Sequence, residues 1–181
     1  MSHFAEIPWT TLSTRPIYRN KWVALREDVV ALPNGRSTIY GVLTCGACVG
    51  VLPFLDPDTV LLIQQYRYVA GRVTWEMPTG GMHETETMEA AAQRELAEEI
   101  GYRANVLRHV CTYHTSKSVV DETAHLFIGT DLMQADLPPD ETEFIAVRPW
   151  PFTEVLHMVL SGEIVDSMTI IAVLHAARLR A

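Results

Sequence analysis

Apolar and polar positions change their period several times along this 181-residue chain, and each change marks an element. "KWVALREDVVAL" and "STIYGVLTCGACVGVLPFL" are strand-like runs flanking "PNGR", in which Asn34-Gly35 is a strong hairpin signal. After "DPDT", "VLLIQQYRYV" reads as a short apolar strand and "GRVTWEMPTGG" as a strand running into a glycine loop. The period turns helical from about Glu86 to Ile100, and Gly101 supplies the stop. "NVLRHVCTYHT" and "ETAHLFIGTDL" read as two further strands joined by "SKSVVD". "QADLPPDETE" is a proline- and acid-rich loop, and "FIAVRPW" another strand. The last stretch, "PFTEVLHMVLSGEIVDSMTIIAVLHAARL", predicts two helices broken at Ser161-Gly162. Strands before and after a central helix, with a helical end, predict an α/β fold: a mixed sheet covered by helices.

The central helix carries the chemistry. Glu95, Glu98 and Glu99 stand at i, i+3 and i+4, so one helix face gathers three carboxylates. Such a cluster destabilises a helix unless a cation neutralises it. Met88, Ala92, Leu96 and Ile100 repeat every four residues on another face, suited to burial against a sheet. One side anchors the helix; the other offers hard oxygen ligands that suit magnesium or manganese.

Length and composition change this picture little. A chain of this size is most simply one domain, able to bury roughly 70% of its unfolded surface. Hydrophobic residues at 48% and charged residues at 20% are those of an ordinary soluble globular protein. The net charge of −8 leaves no basic stripe, which argues against nucleic acid as a partner. Phosphate substrates stay possible, because metal ions can bridge acidic side chains to phosphate oxygens. "MSHFAEIPWTT" lacks the basic region and apolar run of a secretory leader, and no apolar stretch reaches membrane-spanning length. A cytoplasmic location away from membranes, with Cys45, Cys48 and Cys111 reduced, is the expectation. Cys45 and Cys48 form a C-x-x-C inside a strand-like run, where odd spacing sends the side chains to opposite faces. That disfavours a zinc or redox site.

From Gly80 to Tyr102 the chain reads "GGMHETETMEAAAQRELAEEIGY". A glycine, five residues, a glutamate, seven residues and then Arg-Glu-apolar-any-Glu-Glu-any-Gly is the spacing of the Nudix box. Every fixed position is met; Tyr102 is aromatic where an aliphatic residue is usual. The chain therefore resembles a Nudix hydrolase. Resemblance to members that cleave ADP-ribose and related nucleotide sugars extends further, through "NKWVALREDVVALPNGRSTIYGVL", "LLIQQYRY", "WEMPTGG", "DETEFIAV" and "SGEIVDSMTIIAVL". The resemblance implies a Nudix α/β/α sandwich over residues 45–181. Residues 1–44 would be an N-terminal antiparallel β-sheet extension serving dimerisation and nucleobase contacts.

It also implies roles. Glu95 and Glu99 are the expected main ligands of Mg2+, with Mn2+ as an alternative; Glu98 assists, and the Thr79 backbone carbonyl supplies a further oxygen. Relatives usually carry alanine at the Thr79 position. Arg94, four residues before Glu98, is expected to pair with the carboxylates, and Glu86 to support the helix start. Gly80 and Gly81 are expected to let the loop turn close to metal and phosphate. The general base falls on Glu141 or Glu143 of the acidic loop, with Asp140 the weaker choice. Arg67 matches an arginine placed near substrate phosphates, with a salt bridge to Glu76 as its competing structural use. Trp22 and Tyr40 match aromatic positions against the nucleobase, though strand aromatics are more often core. Exchange of the N-terminal segment between subunits implies a homodimer.

The region some fifteen residues beyond the box, where many ADP-ribose hydrolases carry proline, is Lys117-Ser118 here. The expected activity is hydrolysis of a nucleoside diphosphate sugar to nucleoside monophosphate plus sugar phosphate. ADP-ribose leads, and GDP-mannose or ADP-glucose follow. A hydrolase of dinucleoside polyphosphates or nucleoside triphosphates is the second reading, and a non-catalytic nucleotide sensor a distant third.

Overall fold

The computed structural model describes residues 9–135 and 145–180, which form two compact units. One unit runs to Gly46 and includes His114–Thr123; the other comprises Ala47–Tyr113 and the chain from Ala124 on.

The first unit is an antiparallel meander. β1 (Thr10–Arg19) pairs with β2 (Ala24–Ala31), from Thr10 opposite Ala31 to Arg19 opposite Ala24. β2 pairs in turn with the first part of β3 (Ser37–Asp56), from Ala24 opposite Thr44 to Ala31 opposite Ser37. The β2–β3 connection closes where the Gly35 amide donates to the Leu32 carbonyl, with Gly35 at φ 80°, as the Asn34-Gly35 signal anticipates. The β1–β2 turn is held by Asn20, whose Oδ1 accepts from the Trp22 and Val23 amides at 2.8 Å each. β1 has no counterpart in the apolar pattern, because every one of its residues is exposed. Pro16 fits there because β1 is an edge strand, and the register slips just after it.

The second unit is the sandwich. The later part of β3 pairs antiparallel with β4 (Thr59–Arg67) and with the short β6 (Thr79–Gly81). β4 pairs with β5 (Arg72–Glu76) and with β9 (Ala146–Pro151). β7 (Tyr102–His114) and β8 (Val120–Gln134) form a long hairpin, with β8 also on β3. Side chains alternate between two cores. Leu52, Val60, Leu62 and Leu126 pack with α2 (Phe152–Leu160) and α3 (Ser167–Arg180). Val51, Leu61, Ile63 and Phe127 pack with α1 (Met88–Ile100). Period-2 burial on both faces is what a sheet between helix layers requires. The predicted mixed sheet covered by helices is the observed architecture.

Helix ends follow local chemistry. Thr87 Oγ1 accepts from the Ala90 amide at 3.2 Å, so α1 starts at Met88. Gly101 ends it at φ 71°, its amide donating to the Ala97 carbonyl at 3.1 Å. Gly162, at φ 77°, stands in the predicted break between α2 and α3.

Leu62 is wholly buried between β4 and the α2–α3 layer. Leu62→Ala is expected to lower unfolding free energy by about 2–5 kcal/mol, read from the urea midpoint at unchanged m-value. A midpoint matching wild type would show that this layer is not the structural core.

Candidate functional site

β6 packs on α1 at close range. A Cβ on Gly80 would fall on the carboxylate of Glu95, so any side chain there would push that carboxylate out of its place. Neither Gly80 nor Gly81 has positive φ; they lie in a short strand where the sequence suggests a glycine loop. Close approach, not conformational freedom, explains the box glycine. Glu99 meets the same strip of backbone, accepting at Oε2 from the Thr79 amide at 2.9 Å.

Glu95 and Glu99 are only 7% and 6% exposed, whereas Glu98 is half-buried. Taking carboxylates out of water costs several kcal/mol unless they are paired and hydrogen-bonded. Arg94 answers much of that cost. Its Nη1 donates to Glu95 Oε1 at 2.6 Å and to Glu98 Oε2 at 3.1 Å. Its Nε and Nη2 hold the two oxygens of Glu86 at 3.0 and 2.9 Å, and Nη2 also reaches the Gly81 carbonyl at 2.8 Å. The Glu98 pair is the i,i+4 pair expected from spacing. The others depend on how the chain turns into α1, which spacing along a helix does not reveal. The hydrogen bonds that Arg94 donates to Glu86, and then the one to Glu95, hold its guanidinium protonated far above its ordinary range. In return Arg94 pulls the Glu86 carboxyl below the usual glutamate range.

Arg67, at the end of β4, makes a bidentate pair with Glu76 of β5. Nε lies 3.0 and 2.9 Å from the two carboxylate oxygens, and Nη2 lies 2.5 Å from Oε2. The Thr74 hydroxyl donates to the same carboxylate. This is the structural use that competes with phosphate binding in the sequence reading. The Glu76 bonds raise the Arg67 pKa most; burial opposes them, and the charges of Glu76, Glu99 and Asp166 add to the rise. The Arg67 head, 41% exposed, thus lies within electrostatic reach of Glu99. Trp22 and Tyr40 belong to the N-terminal meander. Trp22 is 71% exposed with Lys21 Nζ 4.4 Å from its ring centroid, and Tyr40 packs edge-on to Trp9 at 5.7 Å. Asp140, Glu141 and Glu143 lie outside the described residues.

The donors are all hard oxygens, the kind that suit a small divalent cation. Glu95 and Glu99 could hold one with help from Glu98, because Gly80 leaves the backbone directly beside the Glu95 carboxylate. As placed, however, no three His, Cys, Asp or Glu side chains among the described residues close into a metal cage. The donor chemistry fits; the ring of ligands is not closed by these side chains alone. Among the described residues, no helix is long and apolar enough to cross a membrane.

The family model for the NUDIX domain matches residues 46–166, two thirds of the chain and all of the acidic helix. The chain belongs to the Nudix family. Members of this family generally use divalent metals. Residues 9–43 of this Nudix protein match a second model, the nucleoside diphosphate sugar hydrolase N-terminal domain. An ADP-ribose pyrophosphatase of Bacillus subtilis (strain 168) is 30% identical over 165 residues, covering 90% of this chain and 89% of the relative. A GDP-mannose pyrophosphatase of Citrobacter koseri is 31% identical over 134 residues, covering 68% and 70%. The crystal structure of an ADP compounds hydrolase superposes with a TM-score of 0.85 at 21% identity, covering 94% of this chain and 93% of that one, and so shares its fold.

The Glu86–Arg94 pair predicts a pH dependence. Glu86 has a folded pKa below its ordinary value of about 4.5, so its contribution is complete above that value and disappears as pH falls through the depressed one. The stability difference between wild type and Glu86→Gln, measured by urea unfolding, should be widest at neutral pH and close on acidification. A gap that stays constant with pH would mean that the ion pair contributes nothing.

Proposed function

We propose that this Nudix chain hydrolyses the diphosphate bond of a nucleoside diphosphate sugar, using Mg2+ with Mn2+ as a substitute. ADP-ribose is the leading substrate, giving AMP and ribose 5-phosphate, with GDP-mannose and ADP-glucose next. One observation carries this reading: two buried carboxylates, Glu95 and Glu99, are held against the Thr79–Gly81 backbone by Arg94 and the Thr79 amide. The nucleoside diphosphate sugar hydrolase match over residues 9–43 supports the substrate class.

Glu95 and Glu99 would hold the cation, assisted by Glu98 and the Thr79 carbonyl. A bound divalent cation withdraws charge from the diphosphate oxygens and lowers the pKa of bound water. Arg67 would present its fork to a phosphate, kept in one orientation by Glu76. Glu141 would accept the proton of the attacking water, with Glu143 as the alternative base. Trp22 and Tyr40 offer rings for the nucleobase. We assign a homodimer as the working form. The exposed β1 region supports it, since Trp9, Leu12, Ile17 and Tyr18 all stand open on or beside an edge strand.

A panel of nucleotide sugars, dinucleoside polyphosphates and nucleoside triphosphates, incubated with Mg2+ and resolved by chromatography, tests the reading. Nucleoside monophosphate plus sugar phosphate is the expected product pair; turnover of triphosphates alone would overturn the substrate class. Glu99→Gln keeps the shape but removes a ligand charge, and turnover should fall by about 10²-fold or more, comparable to losing one preorganised charge-stabilising group. Full activity in that variant would remove Glu99 from the ligand set. Glu141→Gln should lower turnover with metal binding nearly intact. If Glu143→Gln does so instead, the base belongs to that position.

A further inference from the structure

We propose that Thr169 is a positioning residue for the acidic site: from the first turn of α3 it fixes the Met77–Thr79 backbone, and through it the direction of Glu99. This rests on the metal-dependent reading above.

Thr169 is wholly buried. Its Oγ1 accepts from the Met77 amide at 3.0 Å and donates to Asp166 Oδ2 at 2.6 Å. The polarity is forced, because an amide can only donate and the hydroxyl has one proton to give. Asp166, just ahead of α3, also accepts from the Thr169 amide at 2.7 Å, so the hydroxyl is gripped from its own backbone side as well.

Met77 and Pro78 lie between β5 and β6, outside any strand, yet three consecutive residues are each tied to a different element. The Met77 amide goes to Thr169 on α3, and the Pro78 carbonyl accepts from the Val51 amide of β3 at 3.0 Å. The Thr79 amide goes to Glu99 on α1 at 2.9 Å. Glu99 therefore takes its orientation from a backbone strip whose first anchor is a side-chain hydroxyl. Gly50 lies against the same parts: a Cβ there would run into the Met77 methyl and stand 3.0 Å from the Met168 methyl and 3.2 Å from Thr79 Cγ2. The Arg67 head senses both Asp166 and Glu99, which puts this anchor and the acidic helix in one electrostatic neighbourhood.

The test compares Thr169→Val, which matches the shape without the hydroxyl, with Thr169→Ser, which restores it. Each full-length variant is measured for thermal unfolding, for Mn2+ binding by electron paramagnetic resonance of the free ion, and for ADP-ribose hydrolysis against Mg2+ concentration. Thr169→Val should weaken Mn2+ binding and raise the half-saturating Mg2+ concentration by about tenfold, the size expected when a group that orients a ligand is lost. KM for ADP-ribose at saturating metal should move much less, and Thr169→Ser should return both metal readouts to near wild type. Wild-type Mn2+ affinity in a folded but less stable Thr169→Val would make Thr169 a packing residue and overturn the proposal. If Thr169→Val does not fold, Asp166→Asn, which can still cap α3, takes its place with a smaller shift in the same direction expected; no shift overturns the proposal. Glu99→Gln separates the two levels. Unchanged Mn2+ binding there defeats the metal reading itself, whereas weakened binding there with normal binding in Thr169→Val defeats only the role of Thr169.

Discussion

Two carboxylates one helical turn apart, both nearly inaccessible to water, are a costly feature of this fold; Arg94 offsets that cost at Glu95, and the Thr79 amide does so at Glu99. Without a counter-charge the first response would be protonation or exposure, and either would dissolve the cluster. Arg94 reaches Glu95 and Glu98 along its own helix, Glu86 ahead of the helix, and the Gly81 carbonyl on the neighbouring strand. It thus does two jobs with one planar group. It lowers the electrostatic cost of the acidic face, and it fastens β6 to α1. The box glycine goes with that second job, because a side chain at position 80 would displace the Glu95 carboxylate from where Arg94 holds it.

The same economy shapes the strip before β6. Pro78 has no amide to satisfy, its carbonyl goes to β3, and the amides on either side go to side chains on α3 and α1. A segment without a strand ladder keeps its backbone groups satisfied only through such specific partners. Each partner also fixes a direction. The acidic site is therefore built less by the acidic helix than by the backbone it is pressed against.

Much of this was legible in the chain, unevenly. The hairpin at Asn34-Gly35, the helix closing at Gly101 and the break at Gly162 could be read because their signals are local: a turn dipeptide or a glycine at positive φ. The sheet covered by helices was legible from the order of elements, strands before and after a central helix with a helical end, and the apolar runs "GVLPFL" and "VLLI" prove to be buried on both faces. β1 was not, since a strand with no buried residue has no hydrophobic period to read. Within the site, the i, i+3, i+4 glutamates and the Arg94–Glu98 pair follow from helix geometry alone. The links from Arg94 to Glu86 and Gly81, and from Thr169 to Met77, do not. Thr169 lies 92 residues from its partner, and a threonine near a helix start reads locally as nothing more than a neutral occupant.

The net charge of −8 poses a last physical question, because the proposed substrate is itself an anion and the site is lined with carboxylates. Long-range repulsion is largely screened. At physiological ionic strength the screening length is about 8 Å, so most of the surface charge is invisible from the mouth of a site. What a proposed diphosphate ligand would meet is decided within that radius, where Arg94 already offsets part of the acidic cluster and Arg67, its head partly exposed, feels the charge of Glu99. The Arg67–Glu76 pair is not wasted charge in that setting. A guanidinium whose Nε is fixed on a buried carboxylate keeps its plane, and a fork of fixed plane loses less entropy on meeting phosphate oxygens than a free one does. Recognition by such a site is short-range and geometric, so an acidic protein can bind an acidic ligand without a basic surface.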